Sequence, residues 1–585
     1  MKTSIQQGFE LHQLGKYPEA QVIYEQILQL QPFHFDALWL LGTLFGQLQK
    51  YQHSVEFLTK ALSINPHHST AQNNLGNALN ELGKLKEAII CYDLAIKLRP
   101  NDAQAYFNRG NVLLKLQRTD EAISSYEKAI YHNPNFAESY NLLGIALQGQ
   151  KKLKDAITHY DKAILINPFF AEAFNNRGIA FQELHRFDDA LINFESSIKI
   201  KPDFVEALNN RGLALYELER IGEAILSYEK AISVNSNFAK AHNNLGVALQ
   251  ALKSLDQAFA HYQQAIQIDP EYVEANWNLS LLHLLNGNFN EGWLRYEWRW
   301  KRESLVSLKR NFSEPLWLGE QSLRGKTILL HAEQGLGDTI QFCRYISMVA
   351  QLGATIILEI QKPLIPLLKH FKGVNQMIEL GQKIPHFDYH CPILSLPLAF
   401  KTNLNTIPPS DLSITSDLTL VDHWKKKLGP KKFPRIGVVW SSLSSFKDDH
   451  QRSLTLIEIL QALPKEGFEY ICLQKEIKDI DQNTLASNPH IRFFGDQLNN
   501  FSDTAALIEC VDLVISTCTS IPHLSCSLGK KTWVLLSHVA DWRWLLNRDD
   551  SPWYPSAKLY RQDRIYHWES VLTKVKADLL AFTTL

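Results

Sequence analysis

A 34-residue period runs through the first half of the chain and decides what that half can fold into. Proline stands at Pro32, Pro66, Pro100, Pro134, Pro168, Pro202 and Pro270, and Ser236 breaks the series. Glycine stands at Gly8, Gly42, Gly76, Gly110, Gly144, Gly178, Gly212 and Gly246, with Ser280 next in phase. A small residue recurs at Ala20, Ala88, Ala122, Ala156, Ala190, Ala224 and Ala258, with Ser54 and Gly292 in phase. An aromatic follows at Tyr24, Tyr92, Tyr126, Tyr160, Phe194, Tyr228, Tyr262 and Tyr296, with Leu58 in phase. Each period reads as two antiparallel helices. The glycine of the first helix and the small residue of the second let the backbones approach, and the aromatic fills the gap toward the next unit. Proline lacks an N–H and stops the second helix. One such unit cannot bury its own apolar face, so units must stack.

This pattern resembles the tetratricopeptide repeat, and about nine units fill residues 1–306, the last one degenerate. The resemblance implies an α-solenoid with a long concave groove for an extended partner. It supplies no catalytic chemistry, so any reaction belongs to the second half.

At 585 residues the chain exceeds what one core can organise. Lys+Arg is 60 and Asp+Glu 61, so no basic excess points to nucleic acid. Lys425, Lys426, Lys427, Lys431 and Lys432 read as solvated loop charges. Cys91, Cys343, Cys391, Cys472, Cys510, Cys518 and Cys526 are scattered singly, which argues for a reducing compartment and against a zinc site. The first repeat begins at Ser4 with no apolar leader, and no apolar run approaches the roughly 18 residues of a membrane span. A cytoplasmic protein without a membrane span is expected.

After Tyr296 the repeat pattern fails. Trp293, Trp298 and Trp300, with Lys301 and Arg302, read as the end of a capping helix. Residues 307–326, with Pro315, Gly319 and Gly325, read as a linker. Strand-like runs then alternate with helical ones. Strands are expected at 327–330, 354–360, 387–396, 435–440, 469–473, 491–494, 513–516 and 532–536. Helices are expected at 339–352, 421–428, 456–463, 504–509 and 522–528. Strands spaced by helices imply parallel sheets. The break near Pro430 suggests two Rossmann-like lobes, 327–430 and 431–585, facing a cleft, with ligands at the carboxyl ends of the strands.

Four segments could carry chemistry. In the run from His331 through Glu333 to Asp338, Gly335 and Gly337 allow close backbone approach where a helix opens. Asp338 either lines the cleft or caps the helix. The run from Cys518 through Thr519, Ser520, Ile521 and Pro522 to His523 follows a strand and opens another helix, whose free N–H groups and hydroxyls suit a diphosphate. His523 faces either the ligand or the sheet. Ser441 and Ser442 end the strand at 435–440, and Arg452 with Ser453 precedes the next helix, where Arg452 either neutralises a phosphate or lies on the surface. The aromatic loop of Asp541, Trp542, Arg543, Trp544, Arg548, Asp549, Ser551, Trp553 and Tyr554 is either a ligand wall or packing between lobes and repeats.

The second half resembles the two-lobed GT-B glycosyltransferases, nearest the lipopolysaccharide heptosyltransferases. Their Gly-Asp at the first helix is matched by Gly337 and Asp338, and their Asp-Thr/Ser-x-x-x-His segment by residues 518–523. Their phosphate-binding lysine position is matched by Arg452. Repeats followed by two lobes resemble the O-linked N-acetylglucosamine transferases, and bacterial repeat proteins with a heptosyltransferase-like domain more closely still. Cys518 stands where that family has an aspartate, which puts ADP-heptose as donor in doubt and leaves open a scaffold with a degenerate enzyme domain.

The resemblance implies inverting transfer from a nucleotide-diphosphosugar, with Asp338 as base and His331 as the alternative. Gly335, Gly337, Ser441, Arg452, Ser453, Cys518, Thr519, Ser520 and His523 would hold the donor, without metal or further cofactor. Asp448–Asp449 and Asp549–Asp550 read as turn residues rather than a metal motif. Asn74, Asn108, Asn176, Asn210, Asn244 and Asn278 share one phase of the repeat, with Leu40 and Leu142 as gaps. Side-chain amides both donate and accept, so such a ladder can hold a peptide backbone, as in the O-linked N-acetylglucosamine transferases; otherwise duplication has copied a harmless polar residue. Alanine in their place is not expected to weaken the helices.

Overall fold

The computed structural model describes residues 4–410, 414–442, 452–565 and 567–582. The chain divides into two compact units, Met1–Ser236 and Asn237–Leu585. The division falls at Ser236, the residue that breaks the proline series, ahead of the expected end of the repeats at 306.

The first unit holds seven helix pairs, from Ile5–Gln13 with Tyr17–Leu30 to Val205–Glu217 with Ile221–Val234. His34, His68 and Asp102 cap the first helix of their repeats. The turn between paired helices holds one residue in left-handed backbone: Gly15 and Gly83 do so freely, whereas Gln117 and Lys151 adopt φ of 59° and 62°. The aromatic lies across the glycine of its own repeat, in a core that runs through adjacent repeats. A Cβ on Gly144 would stand 2.5 Å from Tyr160 Cε1, and one on Gly110 2.6 Å from Tyr126 Cε1. Tyr126 and Tyr160 are fully buried, and the Tyr126 hydroxyl donates to Asn111 at 2.8 Å.

Polar contacts then join one repeat to the next. Arg109 binds Ser125 of its own repeat at 2.8 Å and Asp93 of the preceding one at 2.7 Å. The phased asparagines do the same. Asn176 Nδ2 donates to Asn141 at 3.0 Å, Asn210 Nδ2 to Asn175 at 3.0 Å, and Asn108 Nδ2 to Asn73 at 3.1 Å. Asn74 donates to Thr43 at 3.0 Å. The ladder is therefore part of the inter-repeat bonding, and alanine there leaves buried carbonyl oxygens of Asn141 and Asn175 without these donors. This corrects the expectation of a stability-neutral ladder.

The second unit begins with two more helix pairs, Ala239–Ala251 with Leu255–Ile268 and Val273–Leu285 with Phe289–Tyr296. The last helix continues as the 3-10 turn Glu297–Lys301. The segment expected to be a linker is packed: Trp317 is buried and its N–H donates to His390 O at 2.8 Å.

Two parallel sheets follow. The first contains β1 (Thr327–His331), β2 (Thr355–Ile360), β3 (Gln376–Glu379) and β4 (Tyr389–Pro392) in the order β3-β2-β1-β4. The second contains β5 (Arg435–Val439), β6 (Glu469–Cys472), β7 (Ile491–Phe493), β8 (Leu513–Thr517), β9 (Thr532–Leu536) and β10 (Ala557–Arg561). Its order is β10-β9-β8-β5-β6-β7. Renumbered within the sheet this is the doubly wound order 3-2-1-4-5-6, whose direction reverses between β5 and β8. One face packs Val439, Ile471 and Val514 with Leu507 and Leu524; the other packs Ile436, Val438 and Ile515 with Val571 and Val575. β3, β10 and the helices Asp479–Ala486 and Glu569–Leu580 were not foreseen. Lys425, Lys426 and Lys427 form the last turn of the helix Leu418–Leu428 rather than a loop, where cations suit the helix dipole. No helix among the described residues is long and apolar enough to cross a membrane.

Two alanine substitutions separate packing from helix propensity. Gly144→Ala drives a Cβ into a buried ring, and overpacking at about 1–3 kcal/mol should outweigh the propensity gain of about 1 kcal/mol. Gly149→Ala, with nothing within 4 Å, keeps only the gain and should stabilise. Denaturant titration of the two variants should give shifts of opposite sign.

Candidate functional site

The turn of strand order between β5 and β8 is where a doubly wound sheet opens a crevice for ligands. Several of the residues picked out in the sequence meet there. Beyond β5 the chain folds back, with Leu454 N–H donating to Trp440 O at 2.7 Å. This brings Arg452 and Ser453 beside Ser441 and Ser442. Ser442 N–H donates to Ser453 Oγ at 3.1 Å, and Arg452 lies 3.4 Å from Ser442 Oγ. Ser441 faces inward, where its Oγ accepts from Gln474 at 3.2 Å. Asp448 and Asp449 lie outside the described residues.

Beyond β8, Thr519 Oγ1 caps the helix Ser520–Ser527 by accepting from Ile521 N–H at 3.3 Å. Cys518 Sγ accepts from the Trp544 indole at 3.1 Å. Burial, with Asp541 nearby, pushes the Cys518 thiol up to about 11, while Arg452 and Arg543 pull it back, so the thiol is neutral. Thr517 Oγ1 is buried with no hydrogen-bond partner among the described residues.

The first sheet contributes Asp338. Gly335, not Asp338, is the N-cap of the helix Leu336–Phe342. Asp338 sits at the third helical position, where its Oδ2 accepts from Gly335 N–H at 2.8 Å. Its Oδ1 pairs with Arg543 Nη2 at 2.5 Å. Arg543 Nη1 holds both oxygens of Asp541, at 3.0 and 3.1 Å. Burial raises the Asp338 carboxyl, and Arg543 draws it back. Gly337 does not present open space. A Cβ there would stand 3.0 Å from His523 Cδ2 and 3.2 Å from Ser520 Cα. The two helix starts therefore touch.

The histidines answer differently from expectation. His523 stacks on Trp544 at 5.4 Å and its Nδ1 bonds the Tyr554 hydroxyl at 3.1 Å. His331 shares the sheet face of Leu329, against Phe312, with its Nε2 3.3 Å from His390. The helix Leu336–Phe342 packs instead with the Leu330 face, so His331 is turned away from Asp338. The aromatic loop is packing: Trp542 meets Trp293 at 5.2 Å and Trp553 meets Phe289 at 5.8 Å. Asp550 is tied to Arg548 at 2.7 Å by both oxygens, consistent with a turn.

Residues not singled out for the site complete it. Arg299, fully buried, donates to Glu297 at 2.6 Å, Ser395 at 2.7 Å and Glu333 Oε1 at 3.1 Å. Burial lifts the Glu333 carboxyl to about 7 against the pull of Arg299. The Tyr296 hydroxyl donates to Gln334 at 3.4 Å. The last repeat thus holds the loop between β1 and Asp338. The signal for Arg299 and Arg543 lay in the sequence: each is a lone cation between two tryptophans.

Burial holds the His523 imidazole down at about 3, so it stays neutral in the folded state. A folded value below the unfolded one, about 6.5, gives stability that is complete above pH 6.5 and lost as the pH falls toward 3. His523 should therefore remove about 2 kcal/mol between pH 7 and pH 5. The His523→Asn variant should lack that share of the acid loss in denaturant titrations. An unchanged slope would mean that the ring takes up its proton as readily in the folded protein as in the unfolded chain.

Comparison with known proteins recovers the repeats. Residues 76–117 and 212–253 match the family described as TPR repeat. Residues 103–136, 137–170 and 239–272 match the tetratricopeptide repeat, and 35–68 match a second family of that description. Protein FlbA of Caulobacter vibrioides is 25% identical over 324 residues, 51% of this chain and 53% of FlbA. The chain thus spans about half the length of that relative. Among solved structures, YrrB, a TPR protein with an unusual peptide-binding site, is 26% identical, covering 32% of this chain and 95% of YrrB, with a TM-score of 0.28. MamA is 27% identical, covering 29% of this chain and 94% of its own, with a TM-score of 0.27. The Cut9–Hcn1 complex is 16% identical, covering 47% and 54%, with a TM-score of 0.37. The helical half of this chain is built of tetratricopeptide repeats, and two parallel α/β sheets follow it.

Proposed function

We propose that the chain is a GT-B-type inverting glycosyltransferase that moves a sugar from a nucleotide-diphosphosugar to a protein or peptide held by the repeats. The observation that carries this reading is the meeting of Ser442, Arg452, Ser453 and the Thr519-capped helix at the crevice of the doubly wound sheet, with Asp338 of the other sheet opposite. A helix start and a guanidinium there offset the charge of a departing nucleoside diphosphate with fixed dipoles and no metal. Asp338 is the base. It stands on a helix start, and burial raises its carboxyl toward the range a base needs. Its partner Arg543 has to yield Oδ1 to the acceptor hydroxyl, so closure of this pair and transfer exclude one another in time. His331, on the other sheet face, is not suited to the role.

A second reading is favoured by Cys518 and by the occupied space at Gly337: a repeat scaffold whose α/β part no longer turns over. Nucleotide binding separates the two. A thermal-shift screen of nucleoside diphosphates and nucleotide sugars should find one preferred nucleotide. Arg452→Ala should then weaken its binding by about 1.5–3 kcal/mol, and Asp338→Asn should keep binding but lose transfer. A scaffold predicts no shift with any nucleotide.

The acceptor reading rests on the asparagines. Asn176 and Asn210 each donate one amide N–H bond to the preceding repeat and accept one from the neighbouring asparagine, and an amide carries two N–H groups and two lone pairs, so each can also bind a peptide. Changing Asn176, Asn210 and Asn244 together to Ala should raise KM for a protein acceptor and leave donor hydrolysis unchanged. Each lost inter-repeat bond also removes about 0.5–1.5 kcal/mol, so both rates are to be compared well below the melting temperature. Equal loss of both rates would leave the ladder a purely structural role.

A further inference from the structure

The first helices of the fifth to seventh repeats, Ala137–Gly149, Ala171–Glu183 and Val205–Glu217, carry an acidic face beside the asparagine ladder. Residues four, seven and eleven apart share one side of a helix. In the sixth repeat these are Glu172, Asn176, Ile179 and Glu183, and in the seventh Glu206, Asn210, Leu213 and Glu217. The fifth repeat has Glu138 and Ile145 in the same phase, and Ile145 is 37% exposed. The ladder bonds from Asn176 to Asn141 and from Asn210 to Asn175, both at 3.0 Å, set these faces side by side. Two rows of carboxylates therefore cross the repeats, about 16 Å apart, with amides and apolar side chains between them.

Across the whole chain the charges balance, with Lys+Arg 60 and Asp+Glu 61, so this excess is local. The arginines of the same helices are turned to the second helices: Arg177 binds Asp161 at 2.5 Å and Arg211 binds Ser227 at 2.6 Å. Lys201 meets Glu172 at 3.5 Å and Lys151 meets Glu183 at 3.0 Å, surface pairs that are worth little in water. Glu138, Glu206 and Glu217 have no ion pair among the described residues. A separate feature points to a ligand with backbone carbonyls. Asn141 is 6% exposed, and its oxygen accepts from Asn176. Asn175 and Asn209 pass an N–H to Asn176 and Asn210, but Leu142 stands where Asn141 would do so. Asn141 Nδ2 is thus left without a hydrogen bond among the described residues, and it is not sealed from solvent.

We propose that this face of the fifth to seventh repeats takes an extended basic polypeptide. Its backbone lies on the amides, where Asn141 Nδ2 meets a carbonyl oxygen. Successive side chains of an extended chain point to opposite sides, so its lysines or arginines reach either carboxylate row. Their apolar stems lie along Ile145, Ile179 and Leu213. This rests on the reading that the repeats hold a peptide, and it does not depend on sugar transfer.

Fluorescence anisotropy on the full chain tests this with labelled peptides of about twelve residues, alternating Lys-Ser, Gln-Ser or Glu-Ser, at about 0.15 M ionic strength. The Lys-Ser peptide should bind about tenfold or more tighter than the Gln-Ser peptide, and the Glu-Ser peptide weakest. Glu138→Gln, Glu206→Gln and Glu217→Gln together should weaken the Lys-Ser peptide about fivefold or more and leave the Gln-Ser peptide unchanged. The same change of net charge on the second helices, Glu19→Gln, Glu127→Gln and Glu229→Gln together, should alter binding by less than about twofold. Equal weakening by the two triple variants would mean attraction by net charge alone and overturns the site. Lys-Ser binding indifferent to the first triple variant overturns it as well. Equal binding of Lys-Ser and Gln-Ser peptides overturns the preference for basic partners but leaves the repeats as a peptide holder. No binding of any peptide up to about 1 mM overturns both.

Discussion

Bare glycine backbone under a large side chain is the contact on which most of this molecule depends. In repeat after repeat the second helix lays a ring across the glycine of the first, at distances that leave no space for a methyl group. That fixes the separation of the paired helices, and with it the spacing at which Arg109 or Asn176 can reach the preceding repeat. The same device returns once between the two sheets. Gly337 lets the start of one helix rest on Ser520 and His523 of another. Approach at that point brings Asp338 within reach of Arg543, 205 positions away in sequence.

Charge completes what close approach begins. Arg299, Arg344 and Arg543 are all buried, and each spans separate segments. Arg344 donates to Pro408 O at 3.2 Å and Trp553 O at 2.9 Å, tying loops of both α/β parts together. Such groups add little net stability, because desolvation offsets their attraction. They do specify arrangement, since removing one partner leaves a buried charge behind. Arg543 lies 4.3 Å over the Trp542 ring and holds two carboxylates, so the aromatic loop and Asp338 can be placed only together.

The repeats were legible because each phased residue answers a local need that recurs. The sheets were legible where strands carry an unbroken apolar run, as Leu513 to Ile515 in β8, and are buried on both faces, as β5 and β8 are. β10 was missed because it is an edge strand. Lys558 and Arg561 interrupt its apolar pattern, and Lys558 is paired with Asp578 at 2.6 Å. The helix Glu569–Leu580 was missed with it, for it lacks a side-chain N-cap. Site residues that follow a strand directly, such as Ser441 and Thr519, could be read from their position. The partners of Arg543, Glu333 and Gln474 could not, because they arise from contacts between distant segments. His331 misled because a histidine at a strand end looks the same on either face, and strand alternation decides which.

Position 518 shows how such contacts reshape a motif. An aspartate there would stand in a dry site with Asp541 close enough to raise the group at 518. Two carboxylates so placed would raise one another and share the pull of Arg452 and Arg543. Arg543 is already divided between Asp541 and Asp338. A thiol removes the conflict. It stays neutral, takes the Trp544 N–H as a weak acceptor, and leaves Arg543 to the two carboxylates. The negative charge beside the helix start then comes from Asp541 and Asp338, which share Arg543. Cys518 therefore spares the crevice a third carboxyl group, while the Trp544 contact at that position is kept.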